Sequence, residues 1–259
     1  MTSNPFLPQT MRPFSRRSRR AAGALTLVWL TLAAAVLASP AAAQAGQGGG
    51  GNAPAAATPP VAKSGLRLPD IPLHDPWMLA DRSTRTYYLY SSASPRITGQ
   101  GRTGTLYYTS KDLATWEGPH IAFVAPEGSW ADPTVGAWAP EVHAYRGKYY
   151  LFTTLHNPAK KLATTDTTRP NSMRATIIAV SDSPAGPFTL TKLDAPITPA
   201  NFMTLDGTLY VDRAEKPWMV YAHEWIQKVD GTMEAIPLND DLTGAAGDPI
   251  HLFKASDAP

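Results

Sequence analysis

An acid set beside a turn and followed by an aromatic strand returns three times in this chain, at almost constant spacing, and no other feature limits the fold as much. The middle copy runs Trp138-Ala139-Pro140-Glu141-Val142-His143, then Arg146-Gly147-Lys148 and Tyr149-Tyr150-Leu151-Phe152. The first has His74-Asp75-Pro76-Trp77-Met78-Leu79 ahead of Thr86 to Tyr90. The third has Leu205-Asp206-Gly207-Thr208-Leu209-Tyr210 ahead of Lys216 to Tyr221. Asp75, Glu141 and Asp206 are thus 66 and 65 residues apart. Each copy also has a second half: Leu106 to Leu113, Ile177 to Asp182, and Met233 to Leu238. Four short strands per unit, repeated, predict an all-β chain built as a β-propeller. The Arg-Gly-Lys turn predicts a tight hairpin joining Val142 and Ala144 to Tyr149 through Phe152. Pro140 predicts that Glu141 sits at a sheet end, where a carboxylate is well placed for chemistry.

Residues 1–43 lie outside the repeat. Arg12, Arg16, Arg17, Arg19 and Arg20 precede an apolar run from Ala21 to Leu37, and Ser39-Pro40-Ala41-Ala42-Ala43 offers small residues for cleavage. That is the pattern of a secretory signal peptide, predicting a secreted or periplasmic chain. The run is short for a span of roughly 20 residues, so no stable membrane insertion is expected after cleavage. Residues 44–66, with four successive glycines at 48–51, read as a Gly/Ala/Pro-rich linker too poor in apolar surface to fold. The folded domain is then residues 67–259. Five of the 23 Lys and Arg residues and none of the 21 Asp and Glu residues fall in 1–43, which leaves a net charge of −3. No basic stripe with interleaved aromatics remains, so nucleic acid is not an expected partner.

The residue inventory removes several chemistries. There is no cysteine, hence no disulfide, thiolate metal site or Cys nucleophile. The six histidines show no His-Glu-x-x-His spacing, and no Gly-x-Ser-x-Gly elbow occurs. Carboxylates are what remain. In a propeller the first strand of each blade lines the axis, so Asp75, Glu141 and Asp206 are predicted to ring one shallow pocket. Converging carboxylates suit glycoside hydrolysis: one activates a water while another, kept protonated by burial or a like charge, protonates the leaving oxygen. Trp77 and Trp138 stand close to these acids, either as sugar-stacking rings or as packing between blades.

His-Asp-Pro-Trp-Met-Leu, Trp-Ala-Pro-Glu-Val-His with Gly-Lys-Tyr-Tyr-Leu-Phe, and Leu-Asp-Gly-Thr-Leu-Tyr-Val-Asp with Lys-Pro-Trp-Met-Val-Tyr-Ala-His-Glu-Trp together resemble family 43 glycoside hydrolases. The resemblance covers residues 67–259. It implies a five-bladed propeller that cleaves arabinose-, xylose- or galactose-containing polysaccharides with inversion. By it, Asp75 matches the general base, and Glu141 the acid that tunes and orients the general acid, a position more often Asp in the family. The family usually carries the general acid in a Glu-Gly-Pro or Glu-Ala-Pro motif beginning a later blade, and none follows Asp206. Glu117-Gly118-Pro119 has the letters but precedes the second unit. Glu224, the acid beside both His223 and Trp225 on the third unit, is the candidate acid if it faces the pocket, the alternative being a satisfied strand-end charge. His74, Trp77, Trp138, Asp206 and His223 are the expected substrate contacts. No cofactor or protein-bound metal is required by this chemistry; a structural cation in the central channel stays open. A full-length chain of this kind is expected to be a monomer.

Three units are visible, whereas propellers close with about four to eight blades. The expectation is therefore a partial propeller lacking roughly two blades, with a smaller open stack of sheets as the alternative fold. For function, the alternative is a non-catalytic glycan-binding propeller or an inactive fragment.

Overall fold

The computed structural model describes residues 58–257 except residue 167; the expected signal peptide and most of the expected linker lie outside the described residues. The described chain is three antiparallel sheets in series. In chain order the strands are β1 (Lys63–Leu66), β2 (Trp77–Asp81), β3 (Thr86–Ala93), β4 (Gly104–Ser110) and β5 (Trp116–Val124). Then come β6 (Gly136–Tyr145), β7 (Lys148–Lys161), β8 (Ser172–Ser181) and β9 (Thr189–Leu190). The last sheet holds β10 (Thr204–Val211), β11 (Pro217–His223), β12 (Thr232–Pro237) and β13 (Ile250–Lys254). Blade one is ordered β1-β5-β4-β3-β2, blade two β6-β7-β8-β9, and blade three β10-β11-β12-β13. These are three blades of a propeller, whose inner strands β2, β6 and β10 follow or carry the three acids.

Two details differ from the expectation. The boundary at residue 67 is late, because Lys63–Leu66 pairs antiparallel with β5 and makes blade one five-stranded. The Lys-Ser-Gly-Leu stretch carries no apolar period and owes its strand to that partner. Glu141 is also not at a sheet end. It lies inside β6, opposite Phe152, beyond a stretch where the register breaks twice and Ala137 and Ala139 take positive φ of 57° and 42°.

Local chemistry accounts for the hairpins. Tyr145 pairs with Lys148 across Arg146 and Gly147, whose φ values of 46° and 84° match the left-handed pair that a two-residue turn demands. Between β2 and β3 the Asp81 carboxylate accepts from Ser83 Oγ and from the Thr84 N–H at 2.9 Å. Between β10 and β11, Asp212 does the same for the N–H groups of Ala214 and Lys216. Short acid side chains at these positions close the turn in place of backbone.

Blade two is covered on both faces, which is why β7 and β8 read as nearly continuous apolar runs. Leu151 and Ile177 pack toward blade one with Tyr90, Phe123 and Val142. Their neighbours Phe152 and Ile178 pack toward blade three with Met219, Tyr221 and Ile236. Each of these fully buried side chains stabilises the fold by about 1.5–3 kcal/mol through apolar burial. This sandwiching fixes the blade-to-blade distance and so sets where the inner-strand acids meet.

Candidate active site

Asp75, Glu141 and Asp206, one from each blade, line a single open cleft of about 240 Å³ with Pro76, Trp77, Ala139 and Pro140. Their even spacing in sequence hides an offset in structure. Counted back from the last residue of the inner strand, Asp75 stands six residues from Asp81, Glu141 four from Tyr145, and Asp206 five from Val211. Side chains alternate along a strand, so Asp206 is out of phase with the other two. A bulge compensates. The register jumps from Leu205 opposite Ala222 to Thr208 opposite Val220, so Asp206 and Gly207 together face Tyr221. Such an extra residue re-aims a side chain, and Asp206 has φ 54° there. Asp75 has φ 48°, so all three inner strands enter the cleft through left-handed backbone at or two residues before their acid.

Each acid has a different partner. His74 Nδ1 is 3.1 Å from Asp75 Oδ2, both side chains being well exposed. The His74 backbone is held at both ends by Ser91, whose Oγ accepts from its N–H and donates to its C=O. Glu141 Oε2 is 3.0 Å from His143 Nε2. His143, two residues on and on the same strand face, was not singled out by sequence, although its spacing makes it legible. Asp206 is exposed at the open cleft, yet partial enclosure of its carboxyl raises its proton affinity above the ordinary Asp range, and the nearby charges of Asp75 and Glu141 raise it further.

Glu224 is not in that cleft. It precedes the single helical turn Trp225–Lys228 and is 6% exposed. It lines a separate hollow of about 430 Å³ on blade three, with Leu205, Trp225, Met233 and Phe253. Leu205 and Asp206, consecutive in β10, divide the hollow from the cleft. Burial pushes the Glu224 carboxyl upward; Arg174 opposes that shift and Asp206 adds to it. Arg174 Nε lies 3.0 Å from Glu224 Oε1, close enough for an ion pair but without hydrogen-bond alignment, since both atoms lack a hydrogen-bond partner. Arg174 is a residue the sequence did not mark.

The expected substrate contacts divide. Trp77 both lines the cleft and pins the blades, its Nε1–H donating to Val142 O at 3.0 Å. Trp138 is 39% exposed and meets His156 edge-on at 3.9 Å between ring centroids, outside the acid cleft. His223 is a correction. It is buried, with Nδ1 2.9 Å from Glu234 Oε1 and Nε2 3.0 Å from Gln227 Oε1. Both ring nitrogens are committed inside blade three and leave nothing for a sugar. Glu117, on β5, has no place at the cleft and sits 3.8 Å from His120. Among the described residues no group of three or more His, Asp or Glu is placed to hold a metal ion, and no helix is long and apolar enough to cross a membrane.

Three antiparallel sheets thus stand in series as propeller blades, and one acid from each lines a shared cleft. The profile of glycosyl hydrolases family 43 matches residues 70–258, and the chain belongs to that family. Among solved structures, the endo-arabinase from Bacteroides thetaiotaomicron VPI-5482 is 38% identical with a TM-score of 0.63, over 76% of this chain and 61% of that one. A thermostable family-43 glycoside hydrolase is 22% identical with a TM-score of 0.53, over 76% and 55%. A β-1,3-galactosidase of the family, solved with galactodeoxynojirimycin, is 19% identical with a TM-score of 0.52, over 74% and 66%. The chain thus spans between 55% and 66% of the length of these structures. No curated protein matches it.

Proposed function

We propose that this chain carries the sugar-cleaving face of an exported, inverting glycoside hydrolase acting on arabinose-, xylose- or galactose-containing polymers, with arabinan the first substrate to try. The carrying observation is that carboxylates from three separate blades, with Trp77 among them, line one cleft. The endo-arabinase at 38% identity favours arabinan; the more distant structures speak to fold alone. Asp75, half-exposed at the cleft, takes the proton of an attacking water. Glu224 is the proton donor, its carboxyl pushed toward the neutral form by burial against the opposing pull of Arg174, and Glu141 orients and tunes the reacting acids. Trp77 stacks on a sugar face, and Trp138 offers an outer platform.

A second reading of the donor has its own support. Asp206 shares the cleft with Asp75, whereas Glu224 does not, and Asp206 is likewise pushed toward its protonated form. The two are separable by leaving group. Replacing the donor abolishes cleavage of arabino-oligosaccharides but spares an activated aryl arabinoside, whose leaving group needs no proton. Glu224→Gln and Asp206→Asn are assayed on both substrates, beside Asp75→Asn, which should lose both activities while keeping sugar affinity. Wild-type turnover by Asp75→Asn would sink the hydrolase reading. Binding without turnover by the unaltered chain would favour the glycan-binding alternative. Export rests on the Arg-rich start and the apolar run of residues 1–43, and sequencing the N-terminus of secreted material tests it.

A further inference from the structure

Residues 206 and 207 form the bulge that brings Asp206 into the cleft, and bulge residues fall out of the ladder that satisfies backbone N–H groups. Here the neighbouring blade supplies acceptors. The Asp206 N–H donates to Thr154 Oγ1 at 3.2 Å, and the Gly207 N–H donates to Thr176 Oγ1 at 2.9 Å. Thr154 and Thr176 are directly opposed on β7 and β8 and are fully buried. The fit is close: a Cβ on Gly207 would stand 2.8 Å from both Thr176 Oγ1 and Met219 Sδ. We propose that Thr154 and Thr176 are positioning residues, a pair of hydroxyls on blade two that clamp the Asp206–Gly207 bulge of blade three and so aim the Asp206 carboxylate at Asp75 and Glu141.

The physical case rests on phase. Without the bulge, Asp206 is on the wrong face of β10, and its left-handed φ is a conformation that a non-glycine residue holds only when its surroundings enforce it. Two hydrogen bonds from a rigid neighbouring sheet are such an enforcement. They also tie the geometry of the acid cleft to the packing between blades two and three, so the cleft is assembled by the interface and not by blade three alone.

The proposal rests on the reading of the acid cleft as the sugar site, but its test reads a proton affinity and not turnover, so a chain without hydrolysis leaves it intact. The carboxyl groups facing Asp206 are Asp75, Glu141 and Glu224, the last paired with Arg174. The chain is labelled with ¹³C at the aspartate carboxyls and titrated by NMR as wild type, Thr154→Val, Thr176→Val, and the matching Thr→Ser variants, with thermal melting alongside. Valine keeps the shape and loses the acceptor; serine keeps the acceptor. The expected result is that the Asp206 midpoint moves away from the wild-type value in both valine variants, as the carboxyl changes its burial and its distance from its acidic neighbours, and stays at the wild-type value in both serine variants. Folded valine variants that titrate like wild type overturn the proposal. So does a valine variant that fails to fold, which would assign the hydroxyls to the fold and not to the carboxylate.

Discussion

Arg174 of blade two places its guanidinium Nε 3.0 Å from Oε1 of Glu224 in blade three, with the two side chains 12% and 6% exposed. This is a buried pair spanning the blade interface. It means that the acid proposed as proton donor is restrained by a cation even as burial favours its neutral form.

Arg174→Met removes that restraint. Breaking a buried pair from one side leaves an uncompensated charge and costs about 3 kcal/mol at pH 7. Glu224 already has a raised proton affinity in the folded state, so its contribution favours the fold below the ordinary value of 4.5 and fades as pH rises. Without Arg174 the affinity rises further, so the variant's deficit shrinks at pH 5. Urea unfolding at both pH values checks this; a deficit independent of pH would show that Glu224 does not titrate in the pair.

Tyr149→Phe tests a second link between blades. Tyr149 Oη donates to Asp81 Oδ1 at 2.9 Å, joining blade two to the β2–β3 turn. Burial alone would push Asp81 upward. Hydrogen bonds from Thr84, Ser83 and Tyr149 outweigh it and hold the carboxyl far below the ordinary range. Stability from this group is present above the unfolded value of 3.8 and is lost as pH falls toward the depressed folded value. The variant should lose about 1.5–3 kcal/mol, the net worth of one hydrogen bond to a charged group. The deficit should hold from pH 7 to 4 and narrow only in stronger acid, as read by chemical denaturation across that range.

What the sequence made legible was local or periodic. The Arg146-Gly147 hairpin follows from turn chemistry, and the three-blade order follows from recurrence of the acid-and-strand unit. The meeting of Asp75, Glu141 and Asp206 followed from the same recurrence. The phase offset among them did not, because it is absorbed by the bulge at Asp206 and Gly207, which no motif marks. Arg174, Thr154 and Thr176 were invisible because their partners are supplied by another blade. His223 was placed with the sugar because it adjoins Glu224, yet it is drawn into blade three by Glu234 on the paired strand β12.

Trp77 has two duties that substitution can separate. Trp77→Phe keeps a ring in the cleft and loses the N–H that donates to Val142 O, so it should cost about 1 kcal/mol of stability while leaving most of the sugar affinity. Trp77→Ala should cost about 3 kcal/mol and remove binding together. Thermal melts paired with calorimetric titration by an arabino-oligosaccharide distinguish them. Equal loss of affinity in both variants would mean that the indole N–H, and not the ring face, holds the ligand.

His156 predicts how the fold fails in mild acid. It is 4% exposed, its Nε2 has no hydrogen-bond partner, and Trp138 closes over it. Burial, with the adjacent Arg174 adding to it, lowers its proton affinity from the ordinary 6.5 to about 4. The folded state therefore binds this proton less readily than the unfolded chain, and stability from the neutral ring is present above 6.5 and lost as pH falls through 4. At 1.36 kcal/mol for each pH unit between those values, the loss approaches about 3 kcal/mol. His156→Gln keeps a polar side chain of similar reach that does not titrate. It should be somewhat less stable than wild type at pH 7.5, where the native ring is neutral and well packed, and should close or reverse that gap by pH 4.5. The measurement is the unfolding free energy of both proteins in urea at half-unit steps between those limits. Two parallel curves would mean that His156 takes up its proton in the folded state as easily as in the unfolded one, and that acid sensitivity lies elsewhere.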